Sequence, residues 1–343
     1  MDRILVTGAS GFVAKHVIGE LLRAGYGVRG TVRGQGKVPG VWAAVAALAP
    51  GFEGQLELVE ADLLDDRGWA EAMDGISAVM HVAATIVAVE PKDPDLVVRP
   101  AVDGTERVLR FARAAGIERV VMTSSIATVG YGLGHERGVR RYSETDFTNL
   151  EGMRRSWAYC IGKTRAERAA WDFAKANGMA LTTIHPGAIL GPATDPETSI
   201  SLGLVTGLLD GSTPAMARIG FAISDVRDVA AMHVAALRTP ESAGQRYLCT
   251  GPYMTFGQVA DVLRAAYPDH AVTTKVVPDW IIRIISMLGG PTRQIINDVG
   301  NEKHFDGSKG EALLGRPYRS NREAILSAAE SGIRFGLVKP KAK

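Results

Sequence analysis

The chain has 343 residues, 46% of them hydrophobic, and its 39 basic and 37 acidic side chains leave a formal net charge of only +2. That suffices for one large or two smaller packed domains, and the scattered basic residues lack the concentrated positive face that nucleic-acid binding requires, so a small-molecule ligand is expected. Cys160 and Cys249 have neither metal-ligand nor disulfide spacing, and no cationic and apolar leader precedes the first strand, which suits a cytoplasmic protein without a metal site.

In chain order, a strand over 3–7 feeds the turn Gly8-Ala9-Ser10-Gly11-Phe12-Val13-Ala14, which opens a helix from Val13 to Leu22. A glycine turn between a strand and a helix N-terminus lets backbone N–H groups approach a pyrophosphate, and the helix dipole favours its charge. Further strands are expected at 27–32, 56–60, 78–82, 119–123 and 180–185. Helical spacing marks 65–73, 100–115 and 156–177, with Gly116 and Gly178 where C-terminal caps belong. Alternation of this kind predicts an α/β fold, a doubly wound parallel (Rossmann) sheet.

After Ile184 the alternation gives way to Pro- and Gly-punctuated loops and short helices, with one more strand at 245–249. We expect a Rossmann domain over 1–185 plus about 222–250. A smaller interleaved substrate domain should cover about 186–221 plus 251–338, followed by a flexible tail, 339–343. The apolar stretch 280–288 is interrupted by Arg283 and is too short to span a bilayer, so a helix buried against the protein is expected and no membrane contact.

The end of the second strand reads Thr31-Val32-Arg33. An acid there would bond the ribose hydroxyl of NAD; Arg33, followed by Lys37, suits a 2′-phosphate, which a guanidinium grips with a fork of donors. NADPH/NADP is favoured on this ground. Asp62-Leu63, after the third strand, is placed either to meet the adenine ring or, for Asp62, to cap the next helix.

Tyr159 and Lys163 are four residues apart on a predicted helix and share a face. Such a pair is common by chance, but Ser125 stands at the carboxyl end of the fifth strand, in Thr123-Ser124-Ser125, where ligands of open α/β sheets bind. A phenol with an ordinary pKa of about 10 becomes a better acid or base beside an ammonium, and a serine hydroxyl stabilises charge developing on a carbonyl oxygen. Tyr131, Met153, Trp157 and an apolar loop over 200–209 either complete a largely hydrophobic cavity or pack in the core. His135 and His185 have no ligand partner at suitable spacing, and Asp225 and Asp228 read as helix caps.

With these residues the chain resembles the extended short-chain dehydrogenase/reductase superfamily. Within it the resemblance is to the group of dihydroflavonol 4-reductases, cinnamoyl-CoA reductases and NADPH-dependent aldehyde reductases of methylglyoxal-reductase type. It rests on Thr7-Gly8-x-x-Gly11-Phe12, His81-Val82-Ala83-Ala84, Pro100-Ala101-Val102-x-Gly104-Thr105, Thr123-Ser124-Ser125, Tyr159-Cys160-x-Gly162-Lys163, Ala166-Glu167, Pro186-Gly187 and Asp225-Val226-Arg227-Asp228. The resemblance implies a catalytic triad of Ser125, Tyr159 and Lys163, with Lys163 also on the nicotinamide ribose. It implies cofactor contacts from Val82, Ala83, Ala84, Thr85 and Thr123, from Pro186, Gly187, Ala188 and Ile189 beside the nicotinamide amide, and from Ser201, or nearby Ser199, on a phosphate. Thr85-Ile86-Val87 departs from the serine-proline pair of many relatives, which puts Thr85 and Ile86 on an altered wall of the substrate pocket.

The leading expectation is an NADPH-dependent carbonyl reductase, reversible as an alcohol dehydrogenase, acting on an aldehyde or ketone with an apolar substituent. An NAD-dependent nucleotide-sugar epimerase or dehydratase, or a 3β-hydroxysteroid-type dehydrogenase, shares the fold and triad. A binding protein without chemistry would lack the Tyr-Lys pair. The relatives occur as monomers and as homodimers.

Overall fold

The structure, a computed structural model, describes residues 2–84, 90–133, 138–153, 157–196, 200–287 and 295–338. In chain order its strands are β1 (Arg3–Val6), β2 (Gly27–Val32), β3 (Leu56–Glu60), β4 (Ala78–His81), β5 (Arg119–Thr123), β6 (Gly138–Tyr142) and β7 (Ala180–Pro186). There follow β8 (Ala188–Leu190), β9 (Met216–Ala217), β10 (Gly220–Asp225), β11 (Arg246–Cys249), β12 (Tyr253–Thr255), β13 (Val276–Val277) and β14 (Asn301–Phe305). The helices are α1 (Phe12–Arg23), α2 (Val38–Leu48), α3 (Trp69–Met73), α4 (Asp95–Ala114), α5 (Ala158–Asn177), α6 (Ile200–Leu209), α7 (Val226–Arg238), α8 (Phe256–Ala266) and α9 (Asp279–Met287), then α10 (Ser308–Leu314) and α11 (Asn321–Arg334).

Seven strands form one parallel sheet in the order β11-β7-β5-β4-β1-β2-β3. The connections run one way from β1 to β3 and the other way from β4 to β11. The crevice beyond the carboxyl ends of β1 and β4 is therefore the switch point where open α/β sheets bind ligands. One face of the sheet is covered by α1, α2 and α7 through Val17, Leu21, Val45, Val229 and Met232. The other carries α3, α4 and α5 through Trp69, Val108, Leu109, Ala166 and Ala170.

Some elements depart from the sequence reading. Helix α4 begins at Asp95, not Pro100, which lies inside it. Proline deprives the Leu96 carbonyl of its usual donor, but Val97 and Val98 are buried and anchor the first turn. The helix expected over 65–73 shrinks to Trp69–Met73, because Asp65 binds the Arg67 backbone and guanidinium and holds a turn there.

Outside the main sheet, β10 pairs with β8 in parallel and β12 antiparallel, and β13–β9 and β14–β6 are parallel pairs. A second apolar cluster joins Leu190, Leu202, Leu208 and Ile223 to Leu263, Ile325 and Ala328. The stretch expected as a loop over 200–209 is thus helix α6, its apolar residues spent on this core. Helix α9 corrects the expectation of a buried helix: Ile282 and Ser286 dock, while Trp280 is 63% and Met287 64% exposed. The tail from 339 lies outside the described residues.

Candidate active site

At the switch point the chain turns through Gly8, whose φ of 69° lies in the left-handed region; a Cβ there would stand 2.9 Å from that of Ala83. Thr7 Oγ1 accepts hydrogen bonds from the Val82 and Ala83 amides, both at 3.0 Å, and the Gly8 amide donates to Thr31 Oγ1 at 3.0 Å. These bonds tie the turn to the ends of β2 and β4. Helix α1 then starts at Gly11 without a capping side chain and without an acid in its first turn. Ser10, Phe12 and Val13 are partly accessible around it. A cradle closed to any side chain at Gly8 and an uncapped helix N-terminus fit a pyrophosphate. The loop after β8 is held over α1 by the Lys15–Asp195 ion pair and by the His16 ring on the Pro192 carbonyl, 2.9 Å away.

Arg33 and Lys37 are exposed beyond β2, and Arg33 takes no partner among the described residues. Asp62 does not cap α3, whose N-cap is Gly68; its carboxylate accepts from the Leu64 amide at 3.0 Å and its carbonyl from Trp69 Nε1 at 2.8 Å. Leu63 lines a narrow cleft with Ala83, Ala84, Met122, Tyr159 and Lys163. Sequence-expected cofactor residues and two of the three catalytic candidates thus share one cavity. Pro186 ends β7, and the Gly187 amide donates to Ser224 Oγ at 2.8 Å, leading into Ala188 and Ile189 of β8. Ser201 sits in the first turn of α6. Thr85, Ile86, His135 and Ser199 lie outside the described residues.

Ser125 follows β5 in extended conformation, its Oγ accepting from the Ala127 amide at 3.1 Å. Tyr159 opens α5, whose first amide, that of Ala158, donates to Glu90 Oε1 at 2.7 Å. One turn on, Lys163 is buried and its Nζ donates to the Thr123 carbonyl at 3.0 Å; the Thr123 hydroxyl is paired with His233 Nε2 at 2.7 Å. Burial raises the Tyr159 phenol above its ordinary pKa, opposed by a hydrogen bond with the Ser125 side chain. Burial lowers the Lys163 ammonium to about 8, and Glu167 opposes that shift. The phenol is therefore held protonated, as a proton donor must be.

Trp157 packs on Tyr159 with ring centroids 5.4 Å apart, and Tyr131 on Trp157 at 5.2 Å. Beyond them the Tyr131 ring, expected on a hydrophobic wall, has polar partners. Tyr131 Oη donates to Asp298 Oδ1 at 3.1 Å, Lys303 Nζ binds the same oxygen at 2.7 Å, and Nζ lies 3.2 Å from the Tyr131 ring centre. The Met153 Sδ takes the Cys160 thiol at 3.8 Å. Burial pushes that thiol up to about 12, so it is inert.

His185 is buried between Thr183 and Thr128 and lowered by burial to about 4, a structural residue. Asp225 caps α7 as expected, but Asp228 instead binds Arg316 and Arg319. Sequence reasoning missed Glu90, Asp298 and Lys303, which reach the site from remote elements. It quoted Glu167 only as part of the family pattern. No group of three potential metal ligands occurs among the described residues, and no helix there is long and apolar enough to cross a membrane.

Residues 4–249 match the model of the NAD dependent epimerase/dehydratase family. The chain belongs to this family. It is an enzyme of the oxidoreductase type within the extended short-chain dehydrogenase/reductases. Cinnamoyl-CoA reductase 1 of Arabidopsis thaliana is 35% identical over 343 residues, covering 97% of this chain and 96% of that protein. Dihydroflavonol 4-reductase of Zea mays is 33% identical over 275 residues, 78% of this chain and 75% of its own. Among solved structures, the yeast methylglyoxal/isovaleraldehyde reductase complexed with NADPH superposes with a TM-score of 0.79 at 26% identity, over 98% of this chain and 100% of that one.

Proposed function

We propose that this family member is an NADPH-dependent carbonyl reductase, reversible as an alcohol dehydrogenase, acting on an aldehyde or ketone with an apolar, preferably aromatic, substituent. The observation that carries the reading is the Tyr159 phenol hydrogen-bonded to the Ser125 side chain, in a cleft shared with buried Lys163 and with Ala83 and Ala84. The names of the reductases it resembles agree with it.

The dinucleotide, when bound, supplies the hydride. Gly8, Ser10, Gly11, Phe12 and Val13 hold its pyrophosphate at the start of α1, and Arg33 with Lys37 meets the 2′-phosphate. Leu63 borders the adenine. Pro186–Ile189 flank the nicotinamide, and Lys163 holds its ribose. Ser125 donates a hydrogen bond to the substrate oxygen, Tyr159 gives that oxygen its proton, and Lys163 stabilises the phenolate left behind. Trp157 and Tyr131 receive the apolar substituent. We further propose that residues from 186 onward, apart from the return through about 222–250, form the substrate side of a two-domain chain.

The test follows NADPH absorbance with a panel of aldehydes, ketones and diketones, with nucleotide sugars as controls. Consumption with aryl or alkyl carbonyls is the expected result. Conversion of a nucleotide sugar without net cofactor consumption would place the chain among the epimerases instead.

A further inference from the structure

Behind Lys163, one helical turn along α5, lies Glu167, a carboxylate with no solvent exposure. Its Oε2 accepts from Ser124 Oγ at 2.6 Å; its Oε1 accepts from Arg246 Nε on β11 at 2.8 Å and from Trp171 Nε1 at 3.2 Å. Arg246 continues to Thr128 Oγ1 at 3.2 Å, and that hydroxyl donates to the Ser125 carbonyl at 2.9 Å. One side chain thus joins the loop carrying Ser125, the helix carrying Tyr159 and Lys163, and β11 at the edge of the sheet. A purely structural carboxylate could be placed anywhere along this seam; this one stands at the i+4 neighbour of the buried ammonium.

We propose that Glu167 is a positioning residue for the reaction: it keeps Lys163 cationic in a buried site and holds Ser124–Ser125 in register with α5. The proposal deepens the reductase reading and rests on it. The charged and titratable groups facing the cluster are Arg246 from β11, His185 from β7, His81 from β4, and Lys163 and Tyr159 from α5. His81 and His185 are lowered by burial to about 3 and about 4, so both are neutral near pH 7. Arg246 is then the standing counter-charge of Glu167. Burial alone would raise the Glu167 carboxyl; the His185 ring, its Nε2 3.5 Å from Oε1, the Arg246 guanidinium and the Ser124 and Thr128 hydroxyls bring it below its ordinary value, so it is ionised. An anion there favours the charged lysine, and its removal favours the neutral one.

The test titrates Lys163 directly in the full chain without cofactor, by NMR of ¹³C-labelled lysine with Lys163→Ala assigning the signal, and separately follows the pH profile of carbonyl reduction. In Glu167→Gln the Lys163 titration should move to lower pH by about one unit or more. The alkaline limb of kcat/KM should move the same way, while Glu167→Asp stays near the parent. Trp171→Phe, which removes a hydrogen bond but no charge, should leave the titration in place. Should Glu167→Gln fail to fold because Arg246 is stranded, the double variant Glu167→Gln/Arg246→Met is compared with Arg246→Met alone, so that only the carboxylate charge differs between the two. A Lys163 titration unchanged in either folded variant, or moved as far by Trp171→Phe, overturns the proposal. A shifted titration in a protein that reduces no carbonyl would overturn the reductase reading and leave the role of Glu167 standing.

Discussion

The cradle at Gly8 and the reaction end at Tyr159 contribute to one crevice but are made of different material. At Gly8 the candidate binding groups are main-chain N–H groups of an uncapped helix start, fixed through Thr7 and Thr31, with exposed Arg33, which has no partner among the described residues, just beyond β2. Around Tyr159 they are side chains, and behind them lies a sealed seam of Glu167, Arg246, Ser124 and Thr128. A polyanion wants many fixed donors and tolerates nearby water, so backbone suffices. Proton transfer wants one donor at one pKa, which only burial and chosen neighbours can set. Substitutions at the two ends should therefore fail in different ways.

The sharpest contrast is Tyr159→Phe, which removes one hydroxyl and almost no volume. Turnover should fall by about 10²–10⁴, the usual worth of a positioned general acid, while NADPH binding and melting temperature hold. Single-turnover reduction by the folded, cofactor-bound variant at near the parent rate would assign the proton donor elsewhere.

Next comes Arg33→Ala, which should leave the chemical step alone and cost binding only. A charge-assisted pair contributes about 1.5–3 kcal/mol, so the preference for NADPH over NADH should shrink roughly ten- to a hundredfold. Equal affinities for the two cofactors in the unmutated protein, measured by calorimetry, would break this side of the comparison.

The smallest effect is on stability and touches both ends. His16 and His81 at the cradle, and His185 and His233 behind Ser125 and Thr123, are all lowered by burial, to between about 3 and about 4. Their unfolded forms take up protons first, near pH 6.5, so the unfolded state binds more protons below that pH. The stability they contribute is complete above pH 6.5 and is lost as pH falls toward about 4. Denaturant midpoints should decline through that window, and a flat profile between pH 7 and 5 would show these rings to be solvated.

How far each end could be read beforehand follows the same division. The strand-turn-helix at 3–23 and the main-sheet strands through 186 were legible, and Ser125, Tyr159 and Lys163 stood out as candidates, because their signals are local: β-branched runs, glycine spacing, a four-residue step along a helix; β6, outside the main sheet, was not. The substrate side was not. The segment 200–209 looks like a loop until its leucines find the second core, and 280–288 looks buried although nothing among the described residues covers Trp280. Tyr131 reads as an apolar wall until Asp298 and Lys303 arrive from more than a hundred and fifty residues away.

What the chain's own order of residues determined was the doubly wound sheet, with a glycine turn at its switch point and a Tyr-Lys pair on one helix face as candidates for the site, since periodicity and spacing are properties of neighbours. Tertiary structure alone decided the surroundings of Tyr159, the partner of Lys163, the polar partners of Tyr131 and the position of Glu167. Each of those depends on desolvation and on charges brought from remote strands, and no local pattern encodes which distant carboxylate or guanidinium a fold will bury beside them.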